Sequence, residues 1–461
     1  MKSIIDREGA LSRGLADIRA QFGVPAAFPA EVEAATEAAV ARPLTGHADW
    51  TAREFVTLDP QPSTDLDQAF AIERAGADLI LHYAIADVGW FVRANDPVDV
   101  EAWKRGVTIY LPDGKASLYP RKLSEGAASL LANVERPAVV FTVRIDSDGK
   151  SSLHGAARAI IRSGAKLAYE TVTAADLPDG FAELSRRIAL AEDARGAARV
   201  DAPEQEVTVD PEGHFTLAFR PQLEAEVQNA ALSLAANLAI ADVLLASRTG
   251  LFRVMAEPDE RAIRRLRHSA KALGLTWPKN ETLEQFERSL ESGDPRHAAF
   301  RTAVRRAGPK AAYAPYQGDV VPWHSAMGAT YAHATAPLRR LADRYVIDAA
   351  LQIARGQAVT AELDAIFQEL PAVMARAEDK AGQIERAALD LAEAVMLEGR
   401  EGTRFTAVVT DIDERGARIQ LCDPAVIARV DGKGAAAGDE IAVELRSVDA
   451  TRRQASFERV G

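Results

Sequence analysis

The chain has 461 residues, of which 48% are hydrophobic and 26% charged, and its formal net charge is −12 at pH 7. This length predicts about three domains, and the negative charge argues against broad coating of nucleic acid, although it is compatible with a local basic channel. The single cysteine, Cys422, excludes an intramolecular disulfide. We find no signal-peptide pattern and no run of ~18 apolar residues in the sequence. We therefore expect a cytoplasmic protein with no membrane span and no disulfide-linked partner.

The first 49 residues are predicted to form a small helical domain. Leu11, Leu15, Ile18 and Phe22 recur at helical spacing, and Gly23 is placed to end that helix. A second helix is predicted over residues 29–40, which are rich in Ala and Glu. The pattern fits a helix-turn-helix module or a cap packed on the main domain, and it assigns no ligand.

Residues 55–161 are rich in strand patterns, and the first two strands flank an acidic loop. Asp59, Asp65 and Asp67 lie within nine residues of this loop and its edges. Carboxylates this close repel each other and raise each other's pKa, so the pattern predicts a bound cation. Oxygen ligands favour magnesium or manganese. The alternative interpretation is a solvated acidic loop.

The remainder of the chain changes character twice. From about residue 167 to residue 398 long helices rich in Ala, Leu and Glu are predicted, including 224–247, 260–273 and 361–397. The last part carries five short strand patterns at residues 405–412, 417–421, 426–430, 440–448 and 454–458. Five strands in so short a segment predict an OB-type barrel, a fold often used to bind single-stranded nucleic acid.

Several motifs resemble, in order along the chain, those of the ribonuclease II family, whose catalytic domain is called RNB. The aspartates of residues 59–67 resemble its metal signature. Other similar segments are HYAIADV at 82–88, YLP at 110–112, LYPRKLS at 118–124 and YAHATAPLRRLAD at 331–343. The resemblance covers about residues 50–395. It implies an α+β multidomain protein, with a helical N-terminal domain (1–49), an RNB catalytic domain of mixed sheet and many helices (50–398) and a five-stranded OB-type RNA-binding barrel (399–461).

The resemblance also implies a function and a set of site residues. The implied function is a magnesium-dependent hydrolytic 3′-to-5′ exoribonuclease, with Mn²⁺ as a substitute ion, that degrades single-stranded RNA to nucleoside 5′-monophosphates. We expect a monomer. Metal binding is assigned to Asp59, Asp65, Asp67 and Gln68. Catalysis is assigned to Asp65, Asp67 and Arg339. RNA contacts are assigned to Tyr110, Tyr169, Glu226, Arg339 and Arg340.

The segment at residues 331–343, which contains Arg339 and Arg340, also predicts a local structure. Thr335 is expected to cap a helix that has Pro337 in its first turn. Arg339 would then lie near a helix N-terminus, where its guanidinium can bind a phosphate through two hydrogen bonds. The alternative is that Arg339 only pairs with Asp343 one turn later.

The chain departs from the family pattern in two places. The family most often has a fourth aspartate where this chain has Gln68, an uncharged amide and a poor base. We therefore expect an active enzyme with a raised magnesium requirement, and keep a non-catalytic RNA-binding relative as the alternative. A metal-dependent DNase or general phosphodiesterase would share the same carboxylates. The first 49 residues are also too short and too helical for the two OB modules that usually precede RNB.

Overall fold

The computed structural model describes residues 3–4, 9–197, 204–209, 215–220, 222–290, 295–413, 416–436 and 438–460. Residues 1, 2 and 5–8 of the predicted helical domain lie outside these ranges. The described helices are α1 (Ala10–Gln21), α2 (Ala30–Val40), α3 (Val88–Phe91), α4 (Pro97–Arg105), α5 (Phe181–Arg195), α6 (Glu224–Ala246), α7 (Glu260–Ala272), α8 (Leu283–Arg288), α9 (Pro295–Ala307), α10 (Leu341–Ala354) and α11 (Ala361–Leu397).

The described strands fall into one large sheet, one barrel, one three-stranded sheet and three short pairs. They are β1 (Ser3–Ile4), β2 (Ala48–Asp49), β3 (Phe55–Asp59), β4 (Gln68–Ala75), β5 (Asp78–Ala86), β6 (Ile109–Leu111), β7 (Gly114–Ala116), β8 (Glu135–Ile145), β9 (Ser151–Ala168), β10 (Glu204–Val209), β11 (Phe215–Arg220), β12 (Leu251–Val254), β13 (Ala312–Pro315), β14 (Trp323–His324), β15 (Ala329–Thr330), β16 (Arg404–Asp413), β17 (Gly416–Leu421), β18 (Ile427–Val430), β19 (Glu440–Asp449) and β20 (Gln454–Arg459).

The large sheet has the strand order β2-β9-β3-β4-β5-β8 and is mixed, as predicted. The long strand β9 pairs antiparallel with β8 along its first part and parallel with β3 along its last part. This double pairing closes the sheet on itself. Strand β5 is almost wholly buried because helices cover one face and the ring encloses the other.

Helix α6 runs through the main core, where Leu232, Ala236 and Ile240 are buried. By length and composition alone this helix is long and apolar enough to cross a membrane, and the expectation of no membrane span stays a prediction. Of its most apolar window, 61% is buried inside the fold, and a buried core helix satisfies the same criteria.

The two predicted N-terminal helices are present, and both bury their apolar faces in cores that later parts of the chain share. Helix α1 places Leu11, Leu15 and Ile18 in a cluster with β6, β7, β11 and α11. Helix α2 contributes Val32 and Ala39 to the main core. This packing favours the cap over a free-standing module, while the boundary at residue 49 stays a prediction.

The C-terminal barrel follows the predicted strands closely. Its antiparallel order is β18-β17-β16-β19-β20, and its core is filled by alternating residues such as Ala407, Ile419 and Leu445. Every second residue of these strands points inward, which explains why the alternating sequence pattern located them. Helix α11 enters this core with Leu397 and reaches the other two clusters with its earlier turns.

Candidate active site

The acidic loop of residues 60–67 joins β3 to β4 and is fixed from two sides. Lys166 Nζ donates to the carbonyl oxygens of Gln61 and Ser63, at 2.7 and 2.6 Å. On the other side, Ser129 Oγ donates to the Thr64 carbonyl at 2.7 Å and accepts from the Leu66 N–H at 2.9 Å. The loop is therefore held by β9 and by the segment before β8, so its carboxylates occupy defined positions.

Asp67 is the most buried acid of the loop, with 5% of its surface exposed. Its Oδ1 accepts the Leu338 N–H at 2.7 Å, and its Oδ2 lies 3.4 Å from Arg339 Nε. Burial raises the pKa of Asp67 to about 7, although Arg339 and the Leu338 N–H act in the opposite direction. One carboxylate thus joins the acidic loop to the turn at residues 337–339, which carries Arg339 and is called the arginine turn below. The two bonded residues are 271 positions apart in the chain.

Asp59 ends strand β3 on the same side of the sheet. Burial raises its pKa to about 6, Arg339 and Lys166 lower it, and the neighbouring Asp65 raises it. Burial thus acts against ionisation of both Asp59 and Asp67, and the neighbouring cations offset it only in part. A bound cation would favour the ionised form of both carboxylates.

Asp65 has a different environment. Its Oδ1 lies 2.7 Å from Lys115 Nζ, which is also 3.3 Å from Glu125 Oε1. Lys115 belongs to β7 and stands opposite Tyr110 in the β6–β7 hairpin. The hairpin thus brings an ammonium group onto one of the predicted metal ligands.

Gln68 begins β4, and both ends of its amide are engaged. Its Nε2 donates to the Thr335 carbonyl at 2.6 Å. Its Oε1 accepts from Tyr83 Oη at 2.5 Å and from Ser233 Oγ at 3.1 Å. The role of Gln68 as a metal ligand stays a prediction, while its observed contacts tie the acidic loop to the arginine turn and to α6.

The two arginines of the motif face different partners. Arg339 points to Asp67 and leaves 47% of its side chain exposed. Arg340 donates through Nε and Nη2 to Asp343, at 2.9 and 2.7 Å, and Asp343 is fully buried. The alternative pairing of Arg339 with Asp343 is therefore wrong, since Arg340 takes that place.

The predicted helix cap at Thr335 is also wrong. Helix α10 begins at Leu341, with Arg340 at its N-cap, and residues 337–339 form a turn before it. Thr335 is buried, and its Oγ1 accepts from Asn237 Nδ2 at 3.4 Å. Tertiary bonds from Asp67, Gln68 and Asp343 hold this segment instead of a local cap.

A cavity of about 540 Å³ opens next to these groups, a size typical of ligand sites. Its wall includes four predicted RNA contacts, Tyr169, Glu226, Arg339 and Arg340, together with Gln68. Asn229 Nδ2 donates to Tyr169 Oη at 2.8 Å and fixes the ring's outer edge. Glu226 accepts from the Leu223 N–H and from Arg220 Nη1, both at 2.8 Å, so its carboxylate holds the start of α6.

A second cavity, of about 1010 Å³, lies beyond Asp65 and is bounded by the N-terminal helices and the β6–β7 hairpin. Tyr110 lines it and is 52% exposed, which leaves its ring accessible for stacking. Lys115 and Arg121 line the same wall. Of the three acids Asp65 lines this second cavity, whereas the first cavity is lined by Arg339, the contact of Asp67.

Sequence reasoning missed four residues that shape the site: Tyr83, Lys115, Lys166 and Ser233. Tyr83 lies within the HYAIADV segment, although that resemblance gave this tyrosine no role. The other three carry no local signal, because each reaches the site from a distant element through a tertiary contact. Ser129 had one signal, since it belongs to a serine–leucine pair just after the LYPRKLS segment.

The donor groups fit a hard divalent cation in their chemistry. Asp59 and Asp67 are carboxylates, the ligand type that such an ion prefers, and burial raises the pKa of both. Asp65 is paired with Lys115, however, and the Gln68 carbonyl already accepts two hydrogen bonds. Over the part of the chain that the structure describes, no group of three or more His, Cys, Asp or Glu side chains is arranged to hold a metal.

Comparison with known proteins agrees with this architecture. Two family profiles match, the RNB domain over residues 47–352 and the RNase II-type exonuclease C-terminal S1 domain over residues 403–460. Ribonuclease R of Aquifex aeolicus is 28% identical over 431 residues, covering 87% of this chain and 60% of the relative. Exoribonuclease 2 of Cronobacter sakazakii is 29% identical over 406 residues, covering 82% and 62% respectively.

Among solved structures, ribonuclease R of Mycoplasma genitalium in complex with ribose-methylated single-stranded RNA superposes with a TM-score of 0.86. The two chains are 21% identical, and the match covers 98% of this chain and 78% of that one. The match to the two ribonuclease relatives in the preceding paragraph covers about three fifths of their length. Because the RNB profile covers well over half of its residues, the protein belongs to the RNB-domain family.

Proposed function

We propose that this protein is a divalent-metal-dependent 3′-to-5′ exoribonuclease that hydrolyses single-stranded RNA to nucleoside 5′-monophosphates. The observation that carries the proposal is the junction at Asp67, where a buried carboxylate contacts both Leu338 N–H and Arg339 beside a cavity. An acid and a guanidinium side by side suit phosphodiester hydrolysis, because the phosphate meets a cation while the carboxylate can help to bind a metal.

Phosphate binding, base stacking and metal binding fall to different residues of the site. Arg339, which is half exposed, is placed to bind a phosphate that enters the cavity. Tyr169 and Tyr110 offer rings on which bases can stack without sequence preference. Asp59 and Asp67 would hold the ion, which we take to be Mg²⁺ with Mn²⁺ as a substitute, and the ion would lower the pKa of a bound water and neutralise charge on the phosphate.

A direct assay tests the function. A 5′-end-labelled single-stranded RNA and a DNA of the same sequence are incubated with the protein, with magnesium or with a chelator. We expect an RNA-only ladder that shortens from the 3′ end, release of nucleoside 5′-monophosphates and no reaction with the chelator. Tight RNA binding without cleavage would favour the non-catalytic relative. Equal cleavage of DNA would favour a general phosphodiesterase, since the 2′-hydroxyl distinguishes RNA.

The variant Asp67→Asn tests the role of the central carboxylate. Asparagine keeps an oxygen for the Leu338 N–H but removes the charge that faces Arg339 and the ion. We expect turnover to fall at least ~100-fold, with the dissociation constant for RNA almost unchanged. Single-turnover cleavage and filter binding measure the two quantities, and an active Asp67→Asn variant would exclude Asp67 as a metal ligand.

Two further properties belong to the same proposal. We place the protein in the cytoplasm, which is supported by the single cysteine, Cys422, and the resulting lack of internal disulfides. We also propose that it acts as a monomer, because each predicted catalytic group comes from one chain. Light scattering coupled to size exclusion tests the second point, and a stable dimer at micromolar concentration would contradict it.

A further inference from the structure

Lys115 is the feature of the site that the proposed function does not use. Its ammonium group lies 2.7 Å from Asp65 Oδ1, and only 19% of its side chain and 13% of the Asp65 side chain are exposed. Solvent and salt screen a largely buried ion pair of this kind less than they screen an ion pair on the surface. The contact therefore changes the charge that the acidic loop presents.

The backbone beneath Lys115 is held rigidly. In the β6–β7 hairpin, Leu111 and Ala116 are buried in the cluster shared with α1 and α11. Glu125 contacts the same ammonium at 3.3 Å from the far side. Lys115 is thus fixed between two acids and is not a long side chain that happens to lie near Asp65.

The charges around the acidic loop are nearly balanced before any metal binds. Its three carboxylates face three cationic side chains, Lys115, Lys166 and Arg339. The position after Asp67 carries the neutral Gln68, whose carbonyl oxygen already accepts two hydrogen bonds. Two divalent ions in one site need a larger excess of negative charge than these groups provide.

We propose that Lys115 is a resident cation of the site: it neutralises Asp65, so that the protein binds a single divalent ion through Asp59 and Asp67. The positive charge of the Lys115 ammonium group then neutralises Asp65, as the charge of a second metal ion otherwise would. The pairing also accounts for why three carboxylates do not converge on one point in the described residues. This inference rests on the proposed function only for the identity of the reaction, since metal binding is measured without RNA.

The test compares metal binding to RNA-free protein in four proteins: the unmodified chain, Lys115→Met, Lys115→Arg and Lys122→Met. Lys115→Met keeps the length and apolar stem and removes the charge, whereas Lys115→Arg keeps the charge. Lys122→Met is the matched control, because Lys122 lines the same cavity but pairs with Glu37 in α2. Calorimetric titration with Mn²⁺ gives the stoichiometry and affinity, and circular dichroism confirms that each variant is folded.

We expect one ion per chain for the unmodified protein, for Lys115→Arg and for the control. Lys115→Met should bind the ion at least about tenfold more tightly or take a second ion, because Asp65 is released. Two ions bound by the unmodified chain, or Lys115→Met with unchanged stoichiometry and affinity, would overturn the proposal. If Lys115→Met does not fold, Lys115→Gln gives the same comparison.

The two proposals can fail separately. If the ion binds as expected but no RNA is cleaved, the exoribonuclease function is wrong and the role of Lys115 stands. If RNA is cleaved and two ions bind, the exoribonuclease function stands and the role proposed for Lys115 is wrong. With active protein, Lys115→Met should also reach half-maximal activity at a lower magnesium concentration, whereas a purely structural role for Lys115 would leave that concentration unchanged.

Discussion

Arg339 and Arg340 are adjacent in sequence, yet their side chains lie in opposite environments. Arg339 is half exposed beside Asp67, while Arg340 forms a two-bond ion pair with the fully buried Asp343. The strong ion pair keeps the pKa of Asp343 below its usual value although burial acts in the opposite direction. The first arginine is available to substrate, and the second holds the turn that presents it.

This difference predicts opposite effects of two neighbouring substitutions. Arg339→Ala is expected to lower turnover by about 10²–10³-fold while the free energy of unfolding hardly changes. Arg340→Met leaves Asp343 buried without its cationic partner and is expected to cost about 3–5 kcal/mol of stability. Turnover on single-stranded RNA and urea unfolding measure the two effects. A stable Arg340→Met variant, or a strongly destabilised Arg339→Ala variant, would contradict the division of roles.

Gln68 gives a second prediction at the level of one residue. Restoring the acid with Gln68→Asp shortens the side chain and removes the amide that donates to the Thr335 carbonyl. We expect slower turnover and a loss of about 1–3 kcal/mol in the free energy of unfolding, because buried partners are left unpaired. Ser233→Ala is the control, since it removes the longer contact to the Gln68 carbonyl and a bond to Tyr83 Oη but leaves the bond from Gln68 to Thr335 in place. Faster turnover of Gln68→Asp would show that charge matters more than these hydrogen bonds.

At the scale of elements, the sequence located most strands and long helices but not the contacts between them. Helix α11 has the predicted bounds, and the five strands of the barrel lie within two residues of their predicted ends. The antiparallel strand pairs β10–β11 and β12–β13 were missed within a segment that was predicted to be helical. Periodicity reports local structure only, so it could find the acids of the loop and not Lys115, which reaches them from another hairpin.

Helix α11 also supplies a pH-dependent contact with the barrel. Glu393 accepts the Ile427 N–H at 2.9 Å and a hydrogen bond from Gln205, and burial raises its pKa to about 7. The folded state therefore binds a proton that the unfolded chain has lost above about pH 4.5, and stability falls as the pH rises from there to about 7.

Glu393→Gln removes this proton and keeps an acceptor for Ile427. We expect the variant to be more stable than the unmodified protein above pH 7, by about 1–3 kcal/mol. The difference should disappear below about pH 4.5, where the carboxyl is neutral in both states. Thermal unfolding at pH 4.5, 6 and 8 measures it. A variant that is equally destabilised at all pH values would show that the hydrogen bonds, and not the proton, dominate.

At the scale of the whole molecule, the net charge of −12 limits how RNA is bound. Attraction must come from a few placed cations such as Arg339, because the summed charge repels a polyanion. We expect the affinity for single-stranded RNA to fall only about 10- to 100-fold between 50 and 200 mM salt, as for a few phosphate contacts. Filter binding at several salt concentrations measures the slope, and a loss beyond about 1,000-fold would indicate a broad basic surface.

The packing of α1 against α11 has a consequence for the synthesis of the chain. Leu11, Leu15 and Ile18 are synthesised about 370 residues before their partners Ile384 and Leu391. At about 5–20 residues per second, the apolar face of α1 waits roughly 20 to 75 seconds for α11. Strands β6, β7 and β11 of the same cluster are synthesised earlier than α11, so until that helix follows they give the apolar face of α1 only part of its native cover.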